Sequence, residues 1–307
     1  MDEQKKLAAD VGDRDIIRYF YLDQTTEAVV DKLDALKLEL TQSQDEVPFN
    51  AQVKSYFGAA DQDGDLWIVK PVASAEEMLY HRACELAYLL DHRTGTFAAP
   101  TTALMIGGKR FRATKVVQHA VQISSYNYLE PPFINILRAD LVNRWIFFDE
   151  DRNPNNYLVI TNEKKRPFVV AIDYDKADML SAAMKITGMP EKFGWLRTEK
   201  TRFLTLLRPE NFEAVSIDAF EDRLCAFGSL TVKELTLLAK KVFAGYSPDP
   251  AAMAATTSAT IISRRDYVDA YFRKMFKSGA ETRESCHDED YSAFGQSFMD
   301  MHNRKKG

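Results

Sequence analysis

A chain of 307 residues, 46% hydrophobic and 28% charged, can bury one large core or two lobes and is composed as a globular protein rather than a disordered one. Its formal net charge of -5 argues against broad nucleic-acid binding, which shows as a basic excess. No apolar run approaches the roughly eighteen residues that a membrane-spanning helix needs.

The first 45 residues are expected to form a helical extension, with Val29, Val30, Leu33, Leu36 and Leu40 at helical spacing over Thr26 to Leu40. Strands follow. Val53 to Phe57 and Leu66 to Val69 are β-type runs, joined by the turn-rich Asp61-Gln62-Asp63-Gly64-Asp65. That loop starts like a calcium-binding EF-hand, but Leu66 stands at the glycine position and Val72 where the bidentate glutamate belongs, so a hairpin turn is expected. Ser74 to Asp91 predicts a helix, with Ser74 as N-cap and Glu76 and Glu77 in the first turn. Thr102 to Ile106 and Phe111 to Val117 are further strands around a Gly107-Gly108 turn.

Beyond Val117 the pattern is mostly helical. Phe133 to Phe148 reads as an apolar helix after Pro131-Pro132, and Tyr157 to Ile160 and Phe168 to Ile172 form one strand pair. Helices are expected from Ala177 to about Phe276, broken at Gly188-Met189-Pro190, Arg208-Pro209 and Ser247-Pro248-Asp249-Pro250. The expected organisation is therefore an extension (1–45), a sheet-based lobe (46–117), a helical lobe (118–277) and a polar tail (278–307). Strands first and helices later imply an α+β chain whose lobes enclose a cleft. The polar start Met1 to Lys6, and three scattered cysteines (Cys84, Cys225 and Cys286), suggest the cytoplasm, or delivery by a route without a signal peptide.

The chemistry concentrates in three places. In Phe148-Asp149-Glu150-Asp151-Arg152-Asn153-Pro154-Asn155-Asn156, Asp151 precedes Asn156 by five positions, between an apolar helix and an apolar strand. The next strand, Val169 to Ile172, ends on Asp173, and a hairpin would bring Asp173 beside Asn156. An amide oxygen and a carboxylate suit Mg²⁺, a hard ion that prefers oxygen ligands and shares them with phosphates. Asp151, on the loop just before, can accept a proton from an attacking hydroxyl. Upstream, Lys70 ends the strand Leu66 to Val69, where a point charge can meet nucleotide phosphates. Taken singly, each is also an ordinary turn residue or strand end; their order and strand context select the kinase pattern.

These segments resemble the phosphatidylinositol 3- and 4-kinase superfamily and the HipA-type kinases. Ser55-Tyr56-Phe57 through Asp63-Gly64 to Lys70-Pro71 looks like the hairpin that covers the phosphates. Ala87 to His92 with Ala99-Pro100-Thr101-Thr102 looks like the first-lobe helix and following strand of type II phosphatidylinositol 4-kinases. The resemblance spans about residues 50 to 180. It implies a bilobal protein-kinase-like fold and transfer of the γ-phosphoryl of ATP, with Mg²⁺ or Mn²⁺, to a hydroxyl. It places Lys70 and the Ser55 hairpin on the phosphates, Asp151 as acid/base with Arg152 beside it, and Asn156 and Asp173 on the metal. Adenine would lie against Val117, Gln118 and Ala120.

The resemblance also calls for a helix glutamate to pair with Lys70. Cys84 falls at its position; Glu85 beside it is the assigned partner, with Glu77 two turns earlier as the alternative. Two further departures are Asn153, where His is common, and Asp175, where Gly is common; Asp175 could assist metal binding or be solvated, and is read as solvated. The acceptor is expected to be a protein Ser or Thr, the alternative an inositol phospholipid, and the rival of another class a nucleotide-binding pseudokinase scaffold. Arg264-Arg265 and the Arg197 to Arg208 cluster are candidate contacts for lipid headgroups, an inositol phosphate or an acidic protein segment, although charge runs are usually solvated faces.

Overall fold

A computed structural model describes residues 13–41, 56–149, 154–180 and 216–275. They divide into two compact units, each described by itself. One comprises the described residues within 1–126, 155–175 and 237–254; the other comprises those within 127–154, 176–236 and 255–307.

The first unit begins with two short helices, α1 (Asp13–Tyr19) and α2 (Thr26–Asp34). Thr25 caps α2 by accepting from the Ala28 amide at 3.3 Å. The helix expected to reach Leu40 stops at Asp34, and Leu38–Leu40 is instead strand β1. The reason lies in Leu36-Lys37-Leu38-Glu39-Leu40, which alternates with period two, and Leu36 and Leu38 are the buried positions.

β2 (Phe57–Asp61) and β3 (Leu66–Pro71) form a hairpin whose turn is held by one side chain. Asp61 Oδ1 accepts from the amides of Asp63 and Asp65, each at 2.9 Å, and Oδ2 accepts from Trp67 Nε1 at 2.9 Å. The hairpin reading of this loop holds, although β2 starts at Phe57 and the expected strand residues 53–55 lie outside the described residues.

α3 (Ala75–Arg93) starts where the sequence predicts: Ser74 Oγ accepts from the Glu77 amide at 3.0 Å, and Glu77 Oε2 accepts from the Ala73 amide at 2.7 Å. Caps of this kind contribute about 1 kcal/mol. β4 (Thr101–Ile106) and β5 (Lys109–Lys115) meet at Gly107 and Gly108, whose φ of 55° and 77° is the left-handed pair that a tight hairpin needs. The antiparallel sheet has the order β1-β2-β3-β5-β4.

A second sheet, β6-β7-β8, is built from Val121–Gln122, Tyr157–Thr161 and Pro167–Ala171. It is tied to the chain before β4 by two bonds of 2.9 Å, Ala99 N to Ala171 O and Ala171 N to Phe97 O. Ile16, Tyr19 and Phe20 of the N-terminal segment share a core with Val117, Leu158, Ile160 and Val170. The extension is thus part of this unit's interior.

The second unit is helical. α4 (Phe133–Phe147) ends at Phe148, whose φ of 50° makes a left-handed cap. α5 (Asp218–Gly228) follows; α6 (Val232–Phe243) and α7 (Pro250–Met275) are shared, their residues from Leu237 to Ala254 belonging to the first unit, with the expected break at Ser247 to Pro250, and the breaks at 188–190 and 208–209 lie outside the described residues. Phe220 and Trp145 pack on Phe272 with ring centroids 4.8 and 5.3 Å away. Arg264 is not a solvated charge. It is fully buried, donates to the carbonyls of Ile146 (3.3 Å) and Asp178 (2.6 Å), and lies over the Phe148 ring at 3.8 Å. Arg265 is likewise engaged, by the Leu230 carbonyl and Asp266. Neither residue supports the headgroup contact considered from the sequence. The chain is α+β as expected, a sheet-based unit and a mostly helical one.

Candidate active site

The site is built on one face of the larger sheet. Along β3, Trp67 and Val69 are buried in the core, so Ile68 and Lys70 point the other way. In the antiparallel register Ile68 pairs with Thr114 and Lys70 with Arg112. All four side chains therefore share a face, and all four line one cavity.

The opposite wall comes from the second sheet. Register between β7 and β8 pairs Tyr157 with Ala171, and the Ile172 amide donates to the Asn156 carbonyl at 3.0 Å. That hairpin is why Asn156 and Asp173, though far apart in sequence, enter the same cavity as Lys70, together with Val117, Leu158 and Asp175.

Asp173 sits at φ 59°, a left-handed conformation that Asp tolerates better than most residues. Its Oδ1 accepts a long bond, 3.4 Å, from the Asp175 amide. The residue between them anchors the turn. Tyr174 is buried, its hydroxyl bonds Asp91 Oδ2, and its ring meets Tyr88 edge-on at 6.4 Å. Tyr80 adds a bond from its hydroxyl to the Asp175 carbonyl, 3.0 Å. Three residues of α3 thus hold the 173–175 turn.

Charge is concentrated here. Burial lowers the Lys70 pKa, the adjacent Arg112 guanidinium lowers it further, and Asp173 opposes both. Arg112 forms an ion pair with Asp175. Asp175 is therefore not the solvated carboxylate expected from the sequence: it lines the cavity and is paired. Beside it, burial and Arg112 push His81 down to about 4, against Glu77.

Glu85 is a correction. It is fully buried on the side of α3 away from the cavity, where Oε2 accepts from Arg82 Nη1 and Thr102 Oγ1, each at 2.6 Å. Burial, opposed by Arg82, raises its pKa to about 7. A carboxylate committed to these partners is not available to Lys70. The alternative, Glu77, is taken by the start of α3 and by His81 at 3.7 Å. Among the described residues Lys70 has no carboxylate within ion-pair distance, and Asp173 is the acid that acts on it.

Of the residues expected at the adenine, Val117 lines the cavity; Ala120 packs on the core behind it, and Gln118 is not among the lining residues. The Val116 carbonyl accepts from Tyr19 Oη at 2.6 Å, so α1 reaches the connector that bears Val117. Lys115 is buried against Asp65 at 2.5 Å and stands over the Tyr19 ring at 4.0 Å, which fastens the same connector. Asp151, Arg152 and Ser55 lie outside the described residues.

The donor set suits a hard cation that is shared with phosphates. Asn156 and Asp173 offer an amide oxygen and a carboxylate, and Asp175 a second carboxylate, while Lys70 and Arg112 offer cations to an anion. Among the described residues no group of three or more His, Cys, Asp or Glu could hold a metal unaided. Among the same residues no helix is long and apolar enough to cross a membrane.

Sequence reasoning missed Arg112 and the Tyr174–Asp91 anchor. The available signal for Arg112 was strand alternation from Phe111, which puts it on the face of Thr114.

No protein-family model matches the sequence, and no curated protein matches it. Among solved structures, the chain is similar to the proinflammatory kinase CtkA of Helicobacter pylori, at 11% identity and a TM-score of 0.46, over 71% of this chain and 94% of that one. Choline kinase LicA from Streptococcus pneumoniae aligns at 12% identity and 0.30, over 80% and 98%. A MAP kinase from Leishmania major aligns at 13% and 0.27, over 89% and 99%. Alignments this loose assign neither a role to a residue nor an acceptor.

Proposed function

We propose that the protein is an ATP-dependent phosphotransferase of the kinase type. The carrying observation is that Lys70, Asn156 and Asp173, which come from three separate segments, line one cavity beside Val117. In this reading Lys70 holds the nucleotide phosphates, and Asn156 and Asp173 hold Mg²⁺ or Mn²⁺ through oxygen atoms. When bound, the metal neutralises charge that develops on the transferred phosphoryl group. Asp151 takes the proton of the acceptor hydroxyl, Arg152 supports that loop, and the hairpin at Ser55 and Tyr56 covers the phosphates. Backbone groups from Val117 to Ala120 read the adenine edge. Catalysis then rests on positioning and electrostatics rather than on a covalent enzyme intermediate.

The acceptor we favour is a protein Ser or Thr hydroxyl, in keeping with the acidic net charge of -5. The proposal is tested by Mg²⁺-dependent ATP consumption in the wild type, Asp151→Ala and Asp173→Ala. Loss in both variants is expected; undiminished turnover in both would overturn the assignment. Labelling of a protein extract rather than of phosphoinositide vesicles is expected, and the reverse would make the acceptor a lipid.

One observation favours a second reading, a nucleotide-binding scaffold: Glu85 is engaged by Arg82 and Thr102 instead of Lys70. Nucleotide binding without turnover against either acceptor would select it.

A further inference from the structure

We propose that Arg112 and Asp175 form an exchangeable ion pair: on substrate binding Arg112 becomes a second phosphate-binding cation beside Lys70, and Asp175 turns to the metal beside Asp173. This rests on the phosphotransferase reading above. The pattern that the sequence resembles has glycine where Asp175 stands, so that pattern assigns this carboxylate no role.

The case begins with the sheet. Lys70 and Arg112 are directly opposed on neighbouring antiparallel strands and face the same cavity. Like charges so placed destabilise a sheet unless something else offsets them. Here two carboxylates do so: Asp173 acts on both Lys70 and Arg112, and Asp175 pairs with Arg112. A third lining cation, Lys115, is committed to Asp65, so the charges left to face a ligand are two cations, Lys70 and Arg112, and two carboxylates, Asp173 and Asp175.

The pair is also placed to open. Its side chains keep 19% and 30% of their exposure, so separating them does not strand a charge in a dry interior. A guanidinium presents a planar fork that fits phosphate through two bonds, and it makes a better partner for phosphate than for a single carboxylate oxygen. Asp175 does not drift when released. Its carbonyl is held by Tyr80 Oη at 3.0 Å, and its amide points to Asp173 Oδ1 at 3.4 Å. Both carboxylates therefore belong to one anchored turn and line the same cavity.

The experiment measures binding rather than turnover. ATP affinity is determined by calorimetry in chelator and in Mn²⁺, and Mn²⁺ affinity by electron paramagnetic resonance, for the wild type, Asp175→Asn, Arg112→Gln and Lys70→Met. Without metal, Asp175 competes with phosphate for Arg112. Asp175→Asn should therefore tighten metal-free ATP binding roughly tenfold, the scale of one charge-assisted bond, and weaken Mn²⁺ binding to the ATP complex by a similar factor. Arg112→Gln should weaken metal-free ATP binding roughly tenfold. A permanent structural strut predicts otherwise: Asp175→Asn would leave metal-free ATP binding unchanged or weaker, and that result overturns the exchange. If Arg112→Gln binds ATP like the wild type while Lys70→Met does not, the exchange fails and the phosphotransferase reading stands. If the wild type binds no ATP with or without Mn²⁺, both fail together. Thermal melts establish that each variant is folded; should Arg112→Gln not fold, the direction of the Asp175→Asn effect decides alone.

Discussion

Two arginine–carboxylate pairs lie on opposite sides of α3, and their surroundings give them different work. Arg82 and Glu85 are 2% and 0% exposed, and the guanidinium is further held by Asp34 at 2.8 Å and by Thr102 at 3.1 Å. Arg112 and Asp175 keep 19% and 30% exposure and face the cavity. The first pair locks the helix to the sheet, because neither partner can leave without stranding a buried charge. The second can change partners. Identical chemistry is structural at one depth and available for binding at another.

The sharpest way to break this contrast is to remove one member of each pair. Glu85→Leu removes the buried carboxylate partner of Arg82 and leaves it Asp34 at the rim, and is expected to cost about 3 kcal/mol in a denaturant titration, since breaking a buried pair is expensive. Asp175→Asn, at the partly exposed pair, should cost less than about 1 kcal/mol in the same titration. Equal losses at both sites would erase the distinction.

Next in size is a pH effect on the cavity side. His81 is held down to about 4, from the ordinary 6.5, by burial and by Arg112. Its neutral form is thus the folded form. The stability it contributes is complete above pH 6.5 and is lost as pH falls from 6.5 through 4. Integrated over that window the loss is at most about 3 kcal/mol. His81→Gln should flatten that part of the stability–pH curve, and an unchanged slope would show that His81 does not supply it.

Smaller again is the anchor under Asp173. Tyr174→Phe keeps the ring against Tyr88 but removes the bond to Asp91, and should cost about 1 kcal/mol or slightly more. Because the turn carries Asp173, the same variant should lower turnover more than it raises the KM for ATP. A pure stability effect, with turnover per folded molecule unchanged, would separate the anchor from the site.

Much of this architecture was legible along the chain, and the exceptions share a cause. Ser74 with Glu77, Gly107 with Gly108, and the Asn156–Asp173 hairpin depend on neighbours a few residues apart or on one strand pair, so local pattern suffices. Leu36 to Leu40 misled because five residues fit a helical stripe and a strand alternation alike, and pairing with β2 decided between them. The assignment of Glu85 to Lys70 failed because Arg82 and Thr102 hold its carboxylate in the interior, partners that only the packing of α3 against the sheet supplies. Arg112 opposite Lys70, and Tyr174 on Asp91, depend on register and on contacts across 83 positions of sequence in the second case. Nothing local announces those.

The central claim is that the cavity around Lys70, Asn156 and Asp173 holds a metal-bound nucleotide. The most direct measurement is ATP affinity titrated against Mg²⁺ for the wild type, Lys70→Met and Asp173→Asn. The wild type should bind more tightly as Mg²⁺ rises, Lys70→Met should lose roughly tenfold or more at every concentration, and Asp173→Asn should lose the Mg²⁺ dependence. Equal affinities and equal Mg²⁺ dependence in all three proteins would contradict it.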